Sequence, residues 1–369
     1  MVRMDAMRRC DGLPPHGGDI EAFERCYGCR PLDFSVNTNP YGLSPAARKA
    51  AIGALDHADR YPDPHCRALV AALARRNGVD SSGVLVGNGA TDVMFRLMRA
   101  LSPTRALVCA PTFSEYERAC ARVGCSVEAY ALDPSRDYLL DEGILERLDG
   151  VDVVFLCEPN NPTGQLDDPS LLRRVLSRCE ESGCVLVVDE CFNGFLAKPE
   201  EASIRGLVPD HPRLVVIDAL TKTHGMAGLR LGYALCSDGD LVARAWAAGV
   251  PWSVSVIAQE AGCAALGDEE HVERARELVA RERPIMAEEL ASMGLEVIPS
   301  QANYLTARAP VSDLPVRLAR RGVMVRDCGT YDGLPDGCVR FAVRLPEENR
   351  RLVEAVREAL ADEGRGEAR

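Results

Sequence analysis

No apolar stretch of this 369-residue chain reaches the length of a membrane span, and its first residues, MVRMDAMRRCDGLPP, hold no apolar core of the kind that directs secretion. These absences predict a cytoplasmic protein with no membrane partner. Positive charge is scarce, with 43 Lys and Arg against 55 Asp and Glu and a formal net charge of −12. Such a chain is poorly suited to nucleic acid, so any anionic ligand must be gripped by local basic groups. Internal repeats and low-complexity tracts are lacking. Metal-ligand spacing is thin as well. Cys26-Tyr27-Gly28-Cys29, preceded by Cys10 and His16, is a single C-x-x-C with no second pair, and no metal is expected there. The 15 cysteines are scattered, and Cys109, Cys157, Cys184 and Cys236 lie inside apolar runs, where they read as small reduced hydrophobes.

What is present is a regular alternation. Strand-like runs cover Gly83–Val86, Ala106–Ala110, Ser126–Leu132, Val151–Cys157, Cys184–Val188, Leu214–Ile217 and Leu231–Cys236. Helical patterns fill most of the gaps, at Thr91–Leu101, Ser114–Val123, Ser170–Ser182 and Asp238–Ala248. Near-continuous apolar strands alternating with helices predict an α/β fold with a mainly parallel sheet covered on both faces. Before it, residues 1–30 read as an irregular arm, because Pro14, Pro15, Gly17 and Gly18 oppose regular structure. Leu32–Asn37 alternates like a short strand, and Ser44 is placed to cap a helix over Ala46–Leu55. Beyond residue 250 the pattern changes to a small α+β unit. Its helix-rich stretch Gln259–Leu290 is expected to break at Pro284, and its strands are expected at Leu295–Ile298, Asn303–Thr306, Val323–Arg326 and Val339–Val343. The expected organisation is an arm over 1–44, a large domain over 45–250 and a small domain over 251–369.

In parallel sheets ligands sit at the carboxyl ends of the strands, and the informative residues lie there. After Val86 comes Gly87-Asn88-Gly89-Ala90-Thr91, a glycine turn into a helix whose free N–H groups suit an anion. After Ala110, Phe113 offers an aromatic face; after Cys157, the segment from Pro159 to Gly164 offers amides. Asp189 ends the next strand, and a buried carboxylate needs a partner. The run Leu214–Ile217 leads to Thr221 and Lys222, then past Gly225 and Gly228 to Arg230. A lysine at the end of a buried strand loses its proton more readily than usual and becomes a candidate nucleophile for a carbonyl. A phosphate cradle, an aromatic platform, an amide, a carboxylate and a lysine together match the needs of pyridoxal 5′-phosphate.

With these motifs the chain resembles the fold-type I pyridoxal-phosphate enzymes, in the class I/II aminotransferase group. The segments carrying the resemblance are HGGDI (16–20), LDFSVNTNPYG (32–42), RYPD (60–63), GNGATD (87–92), PTFSEY (111–116), PNNPTG (159–164), LTKTHGMAGLRLGY (220–233), PWSV (251–254), QANYL (301–305) and VRFAVR (339–344). They are most similar to the threonine-phosphate decarboxylases of cobalamin biosynthesis, with the histidinol-phosphate aminotransferases as the nearest sisters. The resemblance implies a large domain with a mostly parallel seven-stranded sheet between helices, plus a small C-terminal domain. It implies that Lys222 is the Schiff-base lysine, that Asp189 pairs with the pyridine nitrogen, that Asn161 contacts the 3′-oxygen and that Phe113 stacks on the ring. The phosphate would sit among Gly89, Ala90, Thr91, Thr221 and Arg230. Tyr61 would reach the cofactor phosphate of a neighbouring copy in a homodimer.

On the substrate side, Arg340 matches the position that takes an α-carboxylate. Arg326, His16 and Gly17 match groups near the distal phosphate of a phosphorylated amino acid, with Asn37 beside them. One departure stands out: Phe192 replaces a tyrosine that many relatives use to donate to the 3′-oxygen, a replacement also found among the decarboxylases. Decarboxylation and transamination diverge only in which substrate bond stands perpendicular to the cofactor plane. The expected reaction is decarboxylation of threonine phosphate, with transamination of histidinol phosphate or a related compound as its rival. A non-catalytic cofactor-binding regulator is disfavoured, since only a short arm precedes the enzyme-like region. No role is assigned to His224, which reads as an exposed loop residue.

Overall fold

The computed structural model describes residues 17–361. Strand β1 (Leu32–Asp33) precedes seven strands of one sheet: β2 (Val84–Gly87), β3 (Arg105–Ala110), β4 (Ser126–Ala131), β5 (Val153–Cys157), β6 (Val185–Asp189), β7 (Leu214–Ala219) and β8 (Gly232–Leu235). Their spatial order is β2-β8-β7-β6-β5-β3-β4, and only β8 runs antiparallel to its neighbours. Residues of β2, β5, β6 and β8 are buried throughout, because helices cover both faces. Alternation sorts their side chains between two cores: Val84, Val86, Val154 and Leu156 feed one, while Leu85, Val153, Phe155 and Cys157 feed the other.

Two features of this topology create a site. β3 lies between β4 and β5, so the chain reverses direction across the sheet there, and ligands favour the crevice at such a switch. Antiparallel β8 starts where β2 and β7 end, with Gly232 in register with both Gly87 and Ala219. The segments just after β2 and β7 and just before β8 therefore meet. Gly232 is needed for that meeting, since a side-chain carbon there would come 2.2 Å from the Ala90 nitrogen.

The second sheet is antiparallel, in the order β12-β13-β10-β9, with β9 (Glu296–Val297), β10 (Tyr304–Arg308), β12 (Arg326–Asp327) and β13 (Cys338–Ala342). The expected strand Val323–Arg326 is divided. β11 (Val323–Met324) pairs in parallel with β1 of the arm, whereas β12 pairs with β13. Two short partners on different sides thus replace one continuous neighbour. The core clusters do not divide at one position of the chain: Val254, Ala258, Ala261, Ala265, Cys328, Leu334 and Cys338 pack into the larger one, and Ala275, Val279, Leu305 and Val356 into the second.

Two expectations are corrected. The arm is not irregular throughout, for Ile20–Tyr27 is a helix. Asp19 Oδ1 accepts from Ala22 N at 2.9 Å, Gly28 ends the helix at φ +71°, and Phe23 packs with Ala319 and Met324. Pro284 does not break the second helix either. Glu269–Ser292 runs through it, because Val279, Met286 and Leu290, on both sides of the proline, are anchored in one core. Among the described residues no helix is long and apolar enough to cross a membrane. Most of the described cysteines are buried; burial pushes the Cys66 thiol up to about 12.

Candidate active site

Lys222 sits in a single helical turn, Leu220–Thr223, immediately after β7. Distant chain fastens this turn. Asn39 N donates to Lys222 O at 2.8 Å, Asn39 Nδ2 donates to Thr223 O at 2.8 Å, and Ser44 N donates to His224 O at 3.3 Å. Gly225, at φ +67°, lies so close that a side-chain carbon would come 2.1 Å from Gly42 O. The accessibility that the Lys222 side chain retains is to a cavity of about 210 Å³ that it lines. Burial, followed by the charge of Arg340, lowers its pKa from 10.5 to about 8.

This shift has a consequence for stability. Below pH 8 the folded protein must hold a proton that its surroundings disfavour, so Lys222 destabilises it. The penalty shrinks as pH rises from about 8 and is gone above 10.5, where the unfolded chain is neutral too. The cofactor-free Lys222→Met variant should therefore melt above wild type below pH 8, with the gap closing towards 10.5. Denaturant titration across that range checks it, and a gap that widens with pH would refute it.

Opposite the lysine lies an anion cradle. The helix Ala90–Leu101 starts at Gly89 with no side chain capping its first N–H groups, and Ala90 and Thr91 line the cavity. Thr221 adds a hydroxyl. Arg230 stands at the mouth, its guanidinium so close to Gly89 that a side-chain carbon there would come 2.4 Å from Nη2. Gly89, at φ +88°, is thus needed for both its conformation and its lack of bulk.

Asp189 and Asn161 also line the cavity. Asp189 is 6% exposed. Its Oδ1 accepts from Cys191 N at 3.0 Å and its Oδ2 from the Tyr116 hydroxyl at 2.9 Å. Burial pushes its carboxyl up, while these donors and the Lys222 charge pull it back. The adjacent Glu190 turns away to a buried ion pair with Arg205 at 2.7 Å, so only Asp189 faces the site. Asn160 N donates to Gln165 O at 2.7 Å, and Thr306 and Tyr304 donate to Pro162 O and Asn160 O. These bonds fix the loop carrying Asn161, whose Oδ1 accepts from Arg340 Nη1. Arg340 Nη2 also donates to Ser35 O at 3.1 Å, and the guanidinium lies 5.4 Å from the centroid of the Tyr304 ring.

Arg326 and Arg340 occupy directly facing positions of β12 and β13, and both are buried and line the cavity. Like charges face to face are unfavourable in a sheet, and a cavity of this kind attracts anions. Asn37, 1% exposed and also lining the cavity, has neither its amide nitrogen nor its oxygen bonded to any described residue. A buried amide without partners is costly unless a ligand supplies them. Gly17 completes this side, where a side-chain carbon would come 2.5 Å from Ser35 O.

Residues 30–356 match the model of the family "Aminotransferase class I and II". The chain is 37% identical to the threonine-phosphate decarboxylase of Salmonella typhimurium over 94% of its own length and 96% of that protein. It is also 37% identical to the histidinol-phosphate aminotransferase of Symbiobacterium thermophilum, over 97% of its own length and 98% of that protein. The chain belongs to the class I and II aminotransferase family. Among solved structures, the L-threonine-O-3-phosphate decarboxylase of Porphyromonas gingivalis superposes with a TM-score of 0.81 at 26% identity, over 89% of this chain and 99% of that one.

Membership identifies the cofactor as pyridoxal 5′-phosphate, and the donor set of this aminotransferase-family site suits it. The uncapped helix start with Thr221 and Arg230 would hold the phosphate, Phe113 would face the ring, Asp189 would face the ring nitrogen, and Lys222 would meet the aldehyde. Bound there, the cofactor supplies an electron sink for the pair left when a substrate bond breaks.

Of the residues singled out in the sequence, Gly17, Asn37, Ala90, Thr91, Phe113, Asn161, Asp189, Thr221, Lys222, Arg230, Arg326 and Arg340 line this one cavity, with Gly89 beside Arg230. His16 lies outside the described residues. Tyr61 is not at this cavity: it is 82% exposed, its ring 4.9 Å from that of Trp252. His224 is not an exposed loop residue. It is buried beneath the lysine turn, and burial lowers its pKa to about 4. Phe192 packs edge-on to Tyr304 at 5.1 Å, with Lys222 Nζ 5.6 Å from its ring centroid, so it helps dehydrate the amine. Sequence reasoning missed Tyr116, Ser35 and Tyr331. Tyr116 had a legible signal, three residues after Phe113 on the next helix; Tyr331, in a turn between β12 and β13, had none.

Proposed function

We propose that this protein decarboxylates L-threonine O-3-phosphate, releasing carbon dioxide and (R)-1-aminopropan-2-yl phosphate, as a step of cobalamin biosynthesis. The observation that carries this reading is the facing pair of buried arginines, Arg326 and Arg340. Separate from the cradle at Gly89, they call for a substrate with two anionic groups. Threonine phosphate has a carboxylate and a phosphate, whereas histidinol phosphate brings one anion for two arginines. The similarity to a threonine-phosphate decarboxylase supports the same choice.

In this reading Arg340, set by Asn161 and Ser35, takes the α-carboxylate. Arg326, whose guanidinium lies 5.4 Å from the Tyr331 ring centroid, takes the phosphate with Gly17, His16 and Asn37. Gripping both ends fixes rotation about the substrate's Cα, and the bond held perpendicular to the cofactor plane is the one that breaks. Orientation of this kind changes barriers by several kcal/mol. Lys222, with a pKa of about 8, can hold a proton that it would donate to Cα in place of the departed carbon dioxide. We take the working unit to be a cytoplasmic homodimer in which Tyr61 reaches the neighbouring copy's cofactor phosphate.

Incubation with L-threonine phosphate should release one carbon dioxide per aminopropanol phosphate formed. A 2-oxo product without gas would overturn the decarboxylase reading and leave an aminotransferase.

A further inference from the structure

The carboxylate of Asp189 accepts from Cys191 N and from the Tyr116 hydroxyl, and the Cys191 thiol beside it also favours its ionised form. The ring of Tyr116 is completely buried in the first turn of the helix Glu115–Ala121, which follows β3. It stacks on Phe155 of β5, with centroids 5.0 Å apart and planes 11° from parallel. It also meets Phe113 edge to face, at 5.7 Å and 83°. Phe155 fixes the plane of the phenol, and the 2.9 Å bond to Asp189 Oδ2 fixes its hydroxyl. Burial, and then the charge of Asp189, raise the Tyr116 pKa well above its usual value, so the hydroxyl remains a donor.

We propose that Tyr116 is the positioning residue for the cofactor's pyridine ring: its hydroxyl keeps Asp189 ionised and aimed at the ring nitrogen, and its edge sets Phe113. The proposal rests on the reading that Asp189 pairs with that nitrogen. The physical case is a balance. Asp189 is enclosed deeply enough that burial drives it towards its neutral form. A neutral acid cannot offset a protonated ring nitrogen, and the Cys191 N–H serves only Oδ1. The Tyr116 hydroxyl is the donor on Oδ2, and hydrogen bonds to a charged group are among the stronger ones.

Tyr116→Phe removes this bond, together with the hydroxyl's contact with the Cys157 thiol, and keeps the volume and the stacking. Full-length wild type and variant, stripped of cofactor, would be titrated with pyridoxal 5′-phosphate and with its 1-deaza analogue, in which a C–H replaces the ring nitrogen. Fluorescence quenching reports each dissociation constant. We expect Tyr116→Phe to weaken pyridoxal phosphate by about tenfold and to leave the deaza analogue within about twofold, whereas Phe113→Leu should weaken both alike. A merely structural Tyr116 would lower both affinities together in Tyr116→Phe, and that result overturns the proposal. Preference for the nitrogen-bearing cofactor that survives undiminished in Tyr116→Phe also overturns it, leaving the Asp189 reading intact. A wild type that binds the two cofactors equally would sink that reading and the role of Tyr116 with it.

Discussion

Replacing Lys222 by alanine should abolish the visible absorbance band of the bound cofactor and, with it, turnover. Among the described residues no other lysine lines the cavity, so no second amine of theirs can substitute for it. Loss of a positioned acid–base group alone costs about 10²–10⁴-fold in rate, and loss of the covalent anchor adds to that. The cradle at Gly89, Thr221 and Arg230 is untouched by the change, so the variant should still bind pyridoxal phosphate, though more weakly and reversibly. Absorbance spectra check the band. Borohydride reduction followed by peptide mapping should label Lys222 in wild type and nothing in the variant. Persistence of the band would show that another residue carries the cofactor.

Arg340→Ala should have the next largest effect, and a different signature. Arg340 does not touch the cradle, so the absorbance band should remain. Its loss leaves Asn161 Oδ1 and Ser35 O without their donor and removes a buried charge that we assign to the substrate carboxylate. Truncating one partner of a buried, hydrogen-bonded charge pair costs about 2–5 kcal/mol, so kcat/KM for threonine phosphate should fall by about 30- to 5,000-fold. Arg340 is also the largest charge holding the Lys222 pKa down. The pH profile of the cofactor-loaded variant should therefore move to higher pH. Arg340→Lys should recover little, because an ammonium cannot reach Asn161 and Ser35 with the two-pronged geometry of a guanidinium. A kcat/KM within about threefold of wild type would remove Arg340 from the substrate site.

Much of this site was legible in the sequence because parallel sheets place function at strand ends. Lys222, Asp189, Phe113 and the Gly89 turn each follow an apolar run, and the rule for ligand sites in such sheets picks them out without any knowledge of their neighbours. The large sheet was legible for the same reason: strands buried on both faces read as unbroken apolar runs. What stayed hidden depends on pairing between distant segments. Nothing local reveals that Val323–Met324 belongs to β1 while Arg326 belongs to β13, so the facing arginines emerge only from the register of two short strands. The helix Ile20–Tyr27 was masked by the prolines and glycines before it, although Asp19 is a serviceable cap. Pro284 misled because a local rule met a helix anchored on both sides by the core. Tyr116 was overlooked because an aromatic on a helix ordinarily serves packing, and its hydroxyl acquires meaning only once Asp189 lies beside it.

The fastening of the Lys222 turn by Asn39 bears on how the chain acquires its reactivity. The bond from Asn39 to Thr223 joins residues 184 apart in sequence, and the bond from Arg340 to Ser35 joins residues 305 apart. Contacts of such long range form late, after the entropy of closing large loops has been overcome. Until the segment around Arg340 has been synthesised and docked, Lys222 lacks the enclosure and the neighbouring charge that lower its pKa. On an incomplete chain it is an ordinary, mostly protonated lysine, with a much smaller neutral fraction available to attack an aldehyde. The nucleophile is thus armed by the completion of folding, and a truncated or stalled chain does not carry it.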